Sequence, residues 1–252
     1  MLNRRWIVAF VFLGFVVALE GISSGQMTPK EILAYADNAR GKGNLEGVKC
    51  LVNVVSNYNN TRQDRTLDIL SRGHDFFGIL IDPPQVKNQK ILMIDHKMWY
   101  TKPGLKRPIS VSPRQVLIGG VVYGDVTATN YADDYAINPM PDETINGEQC
   151  YVLDLKAVSK VSTYDRIKYW ISKERMVGVK KEFYTVSGKL LKTAVFEYDT
   201  QIVAANEPNH LISKMTITDA LVETNITTMI INNYQMVKIP DSTFYLNVFS
   251  GQ

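Results

Sequence analysis

The sequence contains few of the residues and patterns that most often carry chemistry. It has two cysteines and three histidines in 252 residues, and His74, His96 and His210 are isolated from one another. It lacks the H-E-x-x-H, G-x-S-x-G and G-x-x-x-x-G-K-[ST] patterns, and its cysteines are not paired at metal-binding spacing. These absences argue against a zinc site, a hydrolase with a serine elbow and a phosphate-binding loop. We therefore predict that the chain is not an enzyme and holds no metal or cofactor.

Neither positive nor negative charge is in large excess. The chain has 28 Lys and Arg against 25 Asp and Glu, a formal net charge of +3, and the charges are scattered along it. A nucleic-acid-binding protein usually concentrates basic residues on one face. The sequence therefore predicts no nucleic-acid partner.

One long apolar run is present, and it lies near the N-terminus. Arg4 and Arg5 precede fourteen apolar residues from Trp6 to Leu19, and the small residues Ser23 to Gly25 follow. This order is typical of a secretory signal, and the run is shorter than the roughly 20 residues that span a bilayer. We predict that residues 1–25 are a cleaved signal peptide for export to the periplasm. The alternative is an uncleaved anchor. No cysteine lies near the cleavage zone, so no lipid anchor is expected.

The remaining residues, 26–252, begin with a predicted amphipathic helix. Thr28, Pro29 and Glu31 fit the N-cap, the first helical position and the end of a capping box. Apolar residues then follow at helical spacing up to about Arg40, and glycines end the segment. The apolar stripe of this helix must cover another element.

After the helix, the apolar residues alternate with a period of two, which is typical of antiparallel strands joined by polar turns. About ten or eleven strands are expected. The fold class is mainly β (α+β), a curved antiparallel half-barrel covered by the N-terminal helix and a central helical loop. The predicted strands are 47–58, 61–72, 76–81, 91–94, 98–101, 149–156, 164–172, 177–186, 190–198, 211–219 and 222–231.

The stretch from Ser112 to Met140 interrupts this pattern with a helical turn, a glycine pair and a long irregular segment. A loop of this length in a compact domain is usually functional or covers a core. Its acids Asp125, Asp133 and Asp134 could gather a hard cation, but their spacing does not match an EF-hand loop. Loop solvation or helix capping is the simpler interpretation.

Cys50 and Cys150 both lie in predicted strands. An exported protein can form disulfides, yet a buried free cysteine behaves as a small hydrophobic residue, and the sequence leaves both possibilities open. The sequence likewise leaves open whether the inward apolar side chains enclose a ligand cavity or fill a solid core.

Several segments resemble the LolA-like outer-membrane lipoprotein-sorting family, in particular a branch that includes a treponemal lipoprotein of LolA/LolB fold. The similar segments are the capped helix, the strand Gly147 to Leu155, the segment around Met98 to Tyr100, and the C-terminal run Val237-Lys238-Ile239-Pro240-Asp241-Ser242-Thr243-Phe244. The central loop departs from the family pattern, because Val126 to Asn130 separates Gly124-Asp125 from the Tyr131 segment.

The resemblance implies a periplasmic carrier that buries lipid or lipoprotein acyl chains in a hydrophobic cavity. The helix would act as the lid, through Ile32, Leu33 and Ala36, together with the central loop. The predicted cavity wall is formed by Val52, Val54, Leu67, Ile69, Phe77, Ile79, Leu92, Ile94, Ile167, Tyr169, Ile171, Val179, Phe183, Met215 and Ile217.

The implied partners are an inner-membrane transporter or an outer-membrane acceptor, with transient membrane contact. The alternative function is a periplasmic accessory or regulatory module that works with an exporter or an envelope-stress pathway. A hydrolase is poorly supported, because no nucleophile motif is present.

Overall fold

The computed structural model describes residues 27–39, 46–127, 130–198, 200–204 and 207–250. The predicted signal peptide lies outside the described residues. Seventeen strands and five helical segments occur in the part of the chain that is described. The strands are β1 (Val48–Tyr58), β2 (Thr61–Arg72), β3 (Asp75–Asp82), β4 (Lys90–Ile94), β5 (Lys97–Thr101), β6 (Ile109–Val111), β7 (Val116–Ile118), β8 (Val121–Val122), β9 (Tyr135–Ile145), β10 (Glu148–Ala157), β11 (Arg166–Ser172), β12 (Gly178–Tyr184), β13 (Leu190–Glu197), β14 (Thr200–Ala204), β15 (Glu207–Leu211), β16 (Lys214–Asp219) and β17 (Ile226–Met236).

Thirteen of these strands form one antiparallel sheet in the order β6-β5-β4-β3-β2-β1-β17-β16-β13-β12-β11-β10-β9. The sheet is not closed, since β6 and β9 are its edge strands. It is strongly curved, because His96 in the β4–β5 turn lies 3.5 Å from Asp134, which directly precedes β9. The predicted half-barrel is therefore confirmed, with more strands in its sheet than the ten or eleven expected.

Local turn chemistry sets the strand pairing. Asn59 and Asn60 both have positive φ, as do Asp95 and His96. Positive φ at both central residues is the geometry of the tight hairpin turn that matches the twist of the flanking strands. The β1–β2 and β4–β5 turns lie where the sequence predicts them.

Within the described ranges, four α-helices and one 3-10 helix accompany the sheet. They are α1 (Pro29–Asp37), α2 (Tyr123–Val126), α3 (Tyr131–Asp134), α4 (Leu246–Ser250) and the 3-10 helix Asp241–Phe244. The N-cap prediction for α1 is confirmed, because Thr28 Oγ1 accepts from the Glu31 N–H and the Glu31 carboxylate accepts from the Thr28 N–H at 2.7 Å. This hydrogen bonding lowers the pKa of Glu31.

The predicted irregular stretch is more ordered than the sequence indicates. It contains the β7–β8 hairpin, α2, α3 and the start of β9, which the sequence analysis missed. Together, α1, the β7–β8 hairpin, α2 and α3 form a layer over the concave face of the sheet, and we call this the covering layer. The main hydrophobic core lies between the covering layer and the sheet.

A second apolar cluster lies on the opposite face of β3 and β4. There Ile239, Phe244 and Phe249 of the C-terminal segment pack against Leu92. Phe77 meets Phe249 edge-on, with ring centroids 6.3 Å apart. The C-terminal segment therefore covers part of the convex face.

The packing of α1 gives a stability prediction. The side chain of Leu33 is fully buried in the main core, whereas Tyr35 on the same helix is 53% exposed. Leu33→Ala should lower the free energy of unfolding by about 2–5 kcal/mol, because it leaves a cavity in a packed core. Tyr35→Ala should change the same quantity, measured by urea denaturation, by less than about 0.5 kcal/mol. Equal losses in the two variants would show that α1 is not anchored through Leu33.

Candidate functional site

The concave face encloses a small, mainly apolar cavity. Its volume is about 80 Å³, and it lies between strands β1, β2, β16 and β17 and the segment from Asp125 to Thr127 of the covering layer. This volume holds several water molecules but not a long hydrocarbon chain. The lining residues are Val48, Cys50, Val52, Ile69, Ser71, Phe76, Asp125, Val126, Thr127, Ile212, Met215, Met229, Ile231 and Tyr234.

A buried ion pair attaches the covering layer to the sheet next to this cavity. Lys192 Nζ on β13 lies 2.7 Å from Asp125 Oδ2 in α2, and both side chains are less than 10% exposed. Lys192 Nζ also donates to the Gly120 carbonyl at 2.7 Å. A buried charge is tolerated only when it is paired and hydrogen-bonded. The ion pair between Asp125 and Lys192 therefore holds α2 against the sheet.

The Asp125 carboxylate has two further donors. The Tyr164 hydroxyl donates to Oδ1 at 2.7 Å, and the Val122 N–H donates to Oδ2 at 2.9 Å. Burial raises the pKa of Tyr164 well above its ordinary value, and the Asp125 charge raises it further. Tyr164 therefore stays protonated and keeps its donor role at physiological pH.

A second buried lysine supports α3. Lys181 on β12 is 2% exposed, and its Nζ lies 4.2 Å from the ring centroid of Tyr131 and 4.1 Å from that of Tyr169. Such contacts stabilise a desolvated cation against aromatic faces. On the other side of α3, the Ala132 N–H donates to Asp37 Oδ2 at the end of α1, at 3.0 Å.

Gly119 lets the β7–β8 hairpin rest directly on the sheet. Gly119 has φ +53°, and a Cβ at this position would overlap the Ser56 hydroxyl. The next N–H, of Gly120, donates to Thr227 Oγ1 at 3.0 Å, and Thr227 Oγ1 lies 3.1 Å from Ser56 Oγ. Only glycine combines this backbone conformation with so close an approach.

The structure brings most of the predicted site residues together. All three lid residues lie in the main core beneath α1. Ten of the fifteen predicted wall residues lie in the same core, and they are Val52, Val54, Leu67, Ile69, Ile167, Tyr169, Ile171, Phe183, Met215 and Ile217. Of these ten, Val52, Ile69 and Met215 line the cavity.

The other five predicted wall residues do not belong to this core and are corrected here. In β3 and β4 the inward residues are Phe76, Leu80, Ile91 and Met93, so the neighbouring positions face outward. Gly78 explains the error in β3, because its missing side chain leaves space for the Phe76 ring and makes the inward row less apolar than the outward row. The residues on these two strands that were wrongly predicted to face the cavity are Phe77, Ile79, Leu92 and Ile94.

Val179 is the fifth correction. The register between β11 and β12 shifts between Trp170 and Ile171, as in a β-bulge. Val179 consequently packs against the outer cluster of Cys150, Val152 and Trp170. A bulge of this kind changes which side chains face inward, and alternation along the sequence does not reveal it.

Sequence reasoning also missed the polar groups of the site. Lys181 and Lys192 lie in strands where charged residues usually face solvent, and Lys180 beside Lys181 follows that rule. The alternation does distinguish the two neighbouring lysines, because Lys181 lies two residues before the inward Phe183 and Lys180 does not, but a lysine in a strand is normally assigned to solvent. For Asp125 the sequence offers a cation, loop solvation or helix capping. The helix-capping prediction is confirmed, because Asp125 accepts from the Val122 N–H at the start of α2, and its charged partner is Lys192.

Both cysteines are free and buried, so the structure contains no bond between Cys50 and Cys150. Cys50 faces the cavity, and burial raises its pKa to about 12. Cys150 faces the outer cluster, and its pKa is also raised by burial.

Two of the three histidines, which are far apart in the sequence, lie close together in the structure. His74 and His96 lie in turns and their rings meet at 5.0 Å, so these two are not isolated as predicted. Across the described ranges, no group of three or more His, Cys, Asp or Glu side chains could hold a metal ion. The described helices also include none with the length and apolar character needed to cross a membrane.

With the fold and the cavity defined, comparisons place the chain among known proteins. The fold is LolA-like. It matches a LolA superfamily protein from Nitrosomonas europaea with a TM-score of 0.79 and 26% identity, over 88% of this chain and all of that one. Residues 73–250 match the model of a family described as "-like: Uncharacterized protein", and the chain belongs to this family.

Two further solved structures share the fold. A domain from Vibrio parahaemolyticus described as outer membrane lipoprotein-sorting gives a TM-score of 0.74 at 20% identity, over 88% of this chain and all of that one. A DUF1329 family protein from Desulfovibrio piger gives 0.73 at 17% identity, over 87% and 97% of the two chains. No curated protein matches the sequence at a significant level.

The buried ion pair yields a second prediction. Asp125→Asn keeps the shape of the side chain but leaves Lys192 buried without its counter-charge, so the free energy of unfolding should fall by about 3–5 kcal/mol. Asp133→Asn, in the same covering layer, removes a pair with Lys30 that is more than half exposed. It should cost less than about 1 kcal/mol in the same denaturation experiment. Similar losses for both variants would contradict the anchoring role of Asp125.

Proposed function

We propose that the chain is a periplasmic carrier that binds the acyl chain of a lipid or lipoprotein between its sheet and its covering layer. The observation that carries this proposal is an apolar cavity on a LolA-like sheet, under a layer held beside it by a buried ion pair. The predicted signal peptide supports the periplasmic location.

The size of the cavity requires that the covering layer moves. About 80 Å³ does not hold an acyl chain, so the chain must displace part of the layer in order to enter. Asp125 both lines the cavity and binds Lys192. Displacement of α2 therefore breaks the ion pair and enlarges the cavity in a single movement.

The energies make this exchange feasible. Each buried methylene group contributes about 0.8 kcal/mol, so a chain of roughly fifteen carbons gains on the order of 10 kcal/mol. Leaving one charge of a buried ion pair without its partner costs about 3–5 kcal/mol, which we take as an upper scale for opening. The free energy gained by burying the acyl chain thus exceeds the free energy needed to open the covering layer. The closed state remains favoured when no lipid is present.

Release needs a different driving force, because the same burial holds the cargo in place. A partner that binds the open or emptied state preferentially would shift the equilibrium. We propose that an inner-membrane transporter loads the carrier and that an outer-membrane acceptor unloads it.

Two neighbouring residues of β17 test the cavity as the binding site. Met229 lines the cavity and is 3% exposed, whereas Ile230 faces outward and is 40% exposed. Met229→Phe should fill the cavity and reduce the amount of lipid that co-purifies with protein from the periplasm. Native mass spectrometry measures this as the fraction of molecules with a lipid mass shift.

Ile230→Phe is the matched control, since it makes the same kind of change one residue away on the opposite face. It should leave the lipid-bound fraction at the wild-type level. Thermal unfolding of both variants checks that they are folded. Equal lipid content in a folded Met229→Phe variant, or no lipid on the wild-type protein, would contradict the proposal.

A further inference from the structure

One rim of the sheet carries the most exposed apolar side chains of the described residues. These four are Val186 at 85%, Leu221 at 72%, Val116 at 64% and Val158 at 62%. Val186, Leu221 and Val158 lie in the connections that follow β12, β16 and β10, respectively. Val116 begins the β7–β8 hairpin. Apolar residues of the same rim with smaller exposed fractions are Val161, Leu191, Val222 and Ile226. We call these eight residues the apolar rim.

The connections of the apolar rim are neighbours in space. Strands β1, β17, β16, β13, β12, β11 and β10 are consecutive in the sheet, and their antiparallel order brings these turns to the same end. The Ala220 N–H donates to the Leu191 carbonyl at 3.0 Å, which joins the β16–β17 turn to the start of β13. Arg114, two residues before Val116, donates to the Ser162 carbonyl at 3.0 Å and joins the hairpin to the β10–β11 loop.

Hydrogen bonds hold these turns with their apolar side chains pointing outward. Asp219 Oδ1 accepts from the N–H groups of Leu221 and Val222 at 2.8 and 2.9 Å. Thr185 accepts from the Lys189 N–H through its hydroxyl and from the Gly188 N–H through its carbonyl. The exposed side chains are therefore presented by an ordered backbone, and the entropy cost of fixing them on binding is small.

Basic residues surround the apolar side chains. Lys156, Lys160 and Lys189 lie on the same rim and are exposed, and the described residues provide none of them with an ion-pair partner. The acids nearby are mostly engaged, since Asp165 pairs with Arg114 and Asp219 binds its own turn. Glu223 is the exposed acid of these turns.

We propose that the apolar rim is a docking surface for an anionic lipid bilayer. Separate apolar side chains on several turns can each enter the interfacial region of a bilayer, whereas a protein partner would be expected to bury one continuous patch. The lysines complement negatively charged headgroups, and each basic residue near such a surface adds to the attraction. The rim is formed by residues outside the cavity, so this surface does not depend on cargo binding.

The test is co-sedimentation of the full mature chain with vesicles. Vesicles of phosphatidylcholine and phosphatidylglycerol in equal parts are compared with vesicles of phosphatidylcholine alone. The wild-type protein should bind the anionic vesicles more strongly. The double variant Val186→Ser with Leu221→Ser should weaken that binding by about tenfold or more, because it removes the two most exposed apolar side chains.

Matched controls separate the rim from general surface effects. Val195→Ser with Ile230→Ser removes two exposed apolar residues from the outer face of the sheet, and it should bind vesicles like the wild type. Lys160→Gln with Lys189→Gln should weaken binding to the anionic vesicles. Lys49→Gln with Lys238→Gln, at the end of β1 and β17 opposite the rim, should not.

Two results would overturn the docking surface. One is a wild-type protein that fails to bind the anionic vesicles, and the other is a rim variant that binds them as well as its control. The lipid-bound fraction of the rim variant, measured by native mass spectrometry, distinguishes this failure from a failure of the carrier function. That fraction should equal the wild-type value, because the cavity is unchanged.

Discussion

The contact between Asp125 and Lys192 is the interaction on which the rest of the site depends. Each group is buried and charged, so neither is stable there without the other. Asp125 belongs to α2 and also accepts from the N–H that opens this helix, while Lys192 belongs to the central part of the sheet. The pair therefore fixes the covering layer against the concave face and keeps the cavity small.

The two parts of the molecule differ in how they are held together. The sheet is a continuous ladder of thirteen strands, and its central strands are paired on both sides. The covering layer consists of short helices and a short hairpin that depend on a few polar contacts and on the shared core. Regions with few internal hydrogen bonds open at lower free energy than a sheet, so the covering layer is the part suited to move.

Much of the fold is predictable because it follows from local chemistry. The capping residues of α1, the Asn59-Asn60 turn and the alternation of β1 each specify their element without help from distant residues. The inward row of β3 is not predictable in the same way, because Gly78 interrupts it and the outward row is more apolar. The Val179 correction has a similar origin, since it follows from a bulge in the pairing of two strands.

The edge strand β9 and the buried lysines show a further limit of structure prediction from the sequence. β9 contains Pro139 and Pro141, which normally argue against a strand, but an edge strand tolerates proline because one side needs no ladder hydrogen bonds. Lys181 and Lys192 resemble solvent-facing strand residues until the register places them inward. Their role depends on partners distant in sequence, and the pattern of one chain does not specify those partners.

The most direct test of the account is hydrogen–deuterium exchange with and without palmitic acid. The N–H of Gly120 reports on the contact between the covering layer and the sheet, since it donates to Thr227 of β17. The N–H of Val54, in the central strand β1, reports on the sheet. Palmitic acid should speed exchange at Gly120 and leave Val54 unchanged. Binding of palmitic acid with unchanged exchange at Gly120, or no binding at all, would contradict the account.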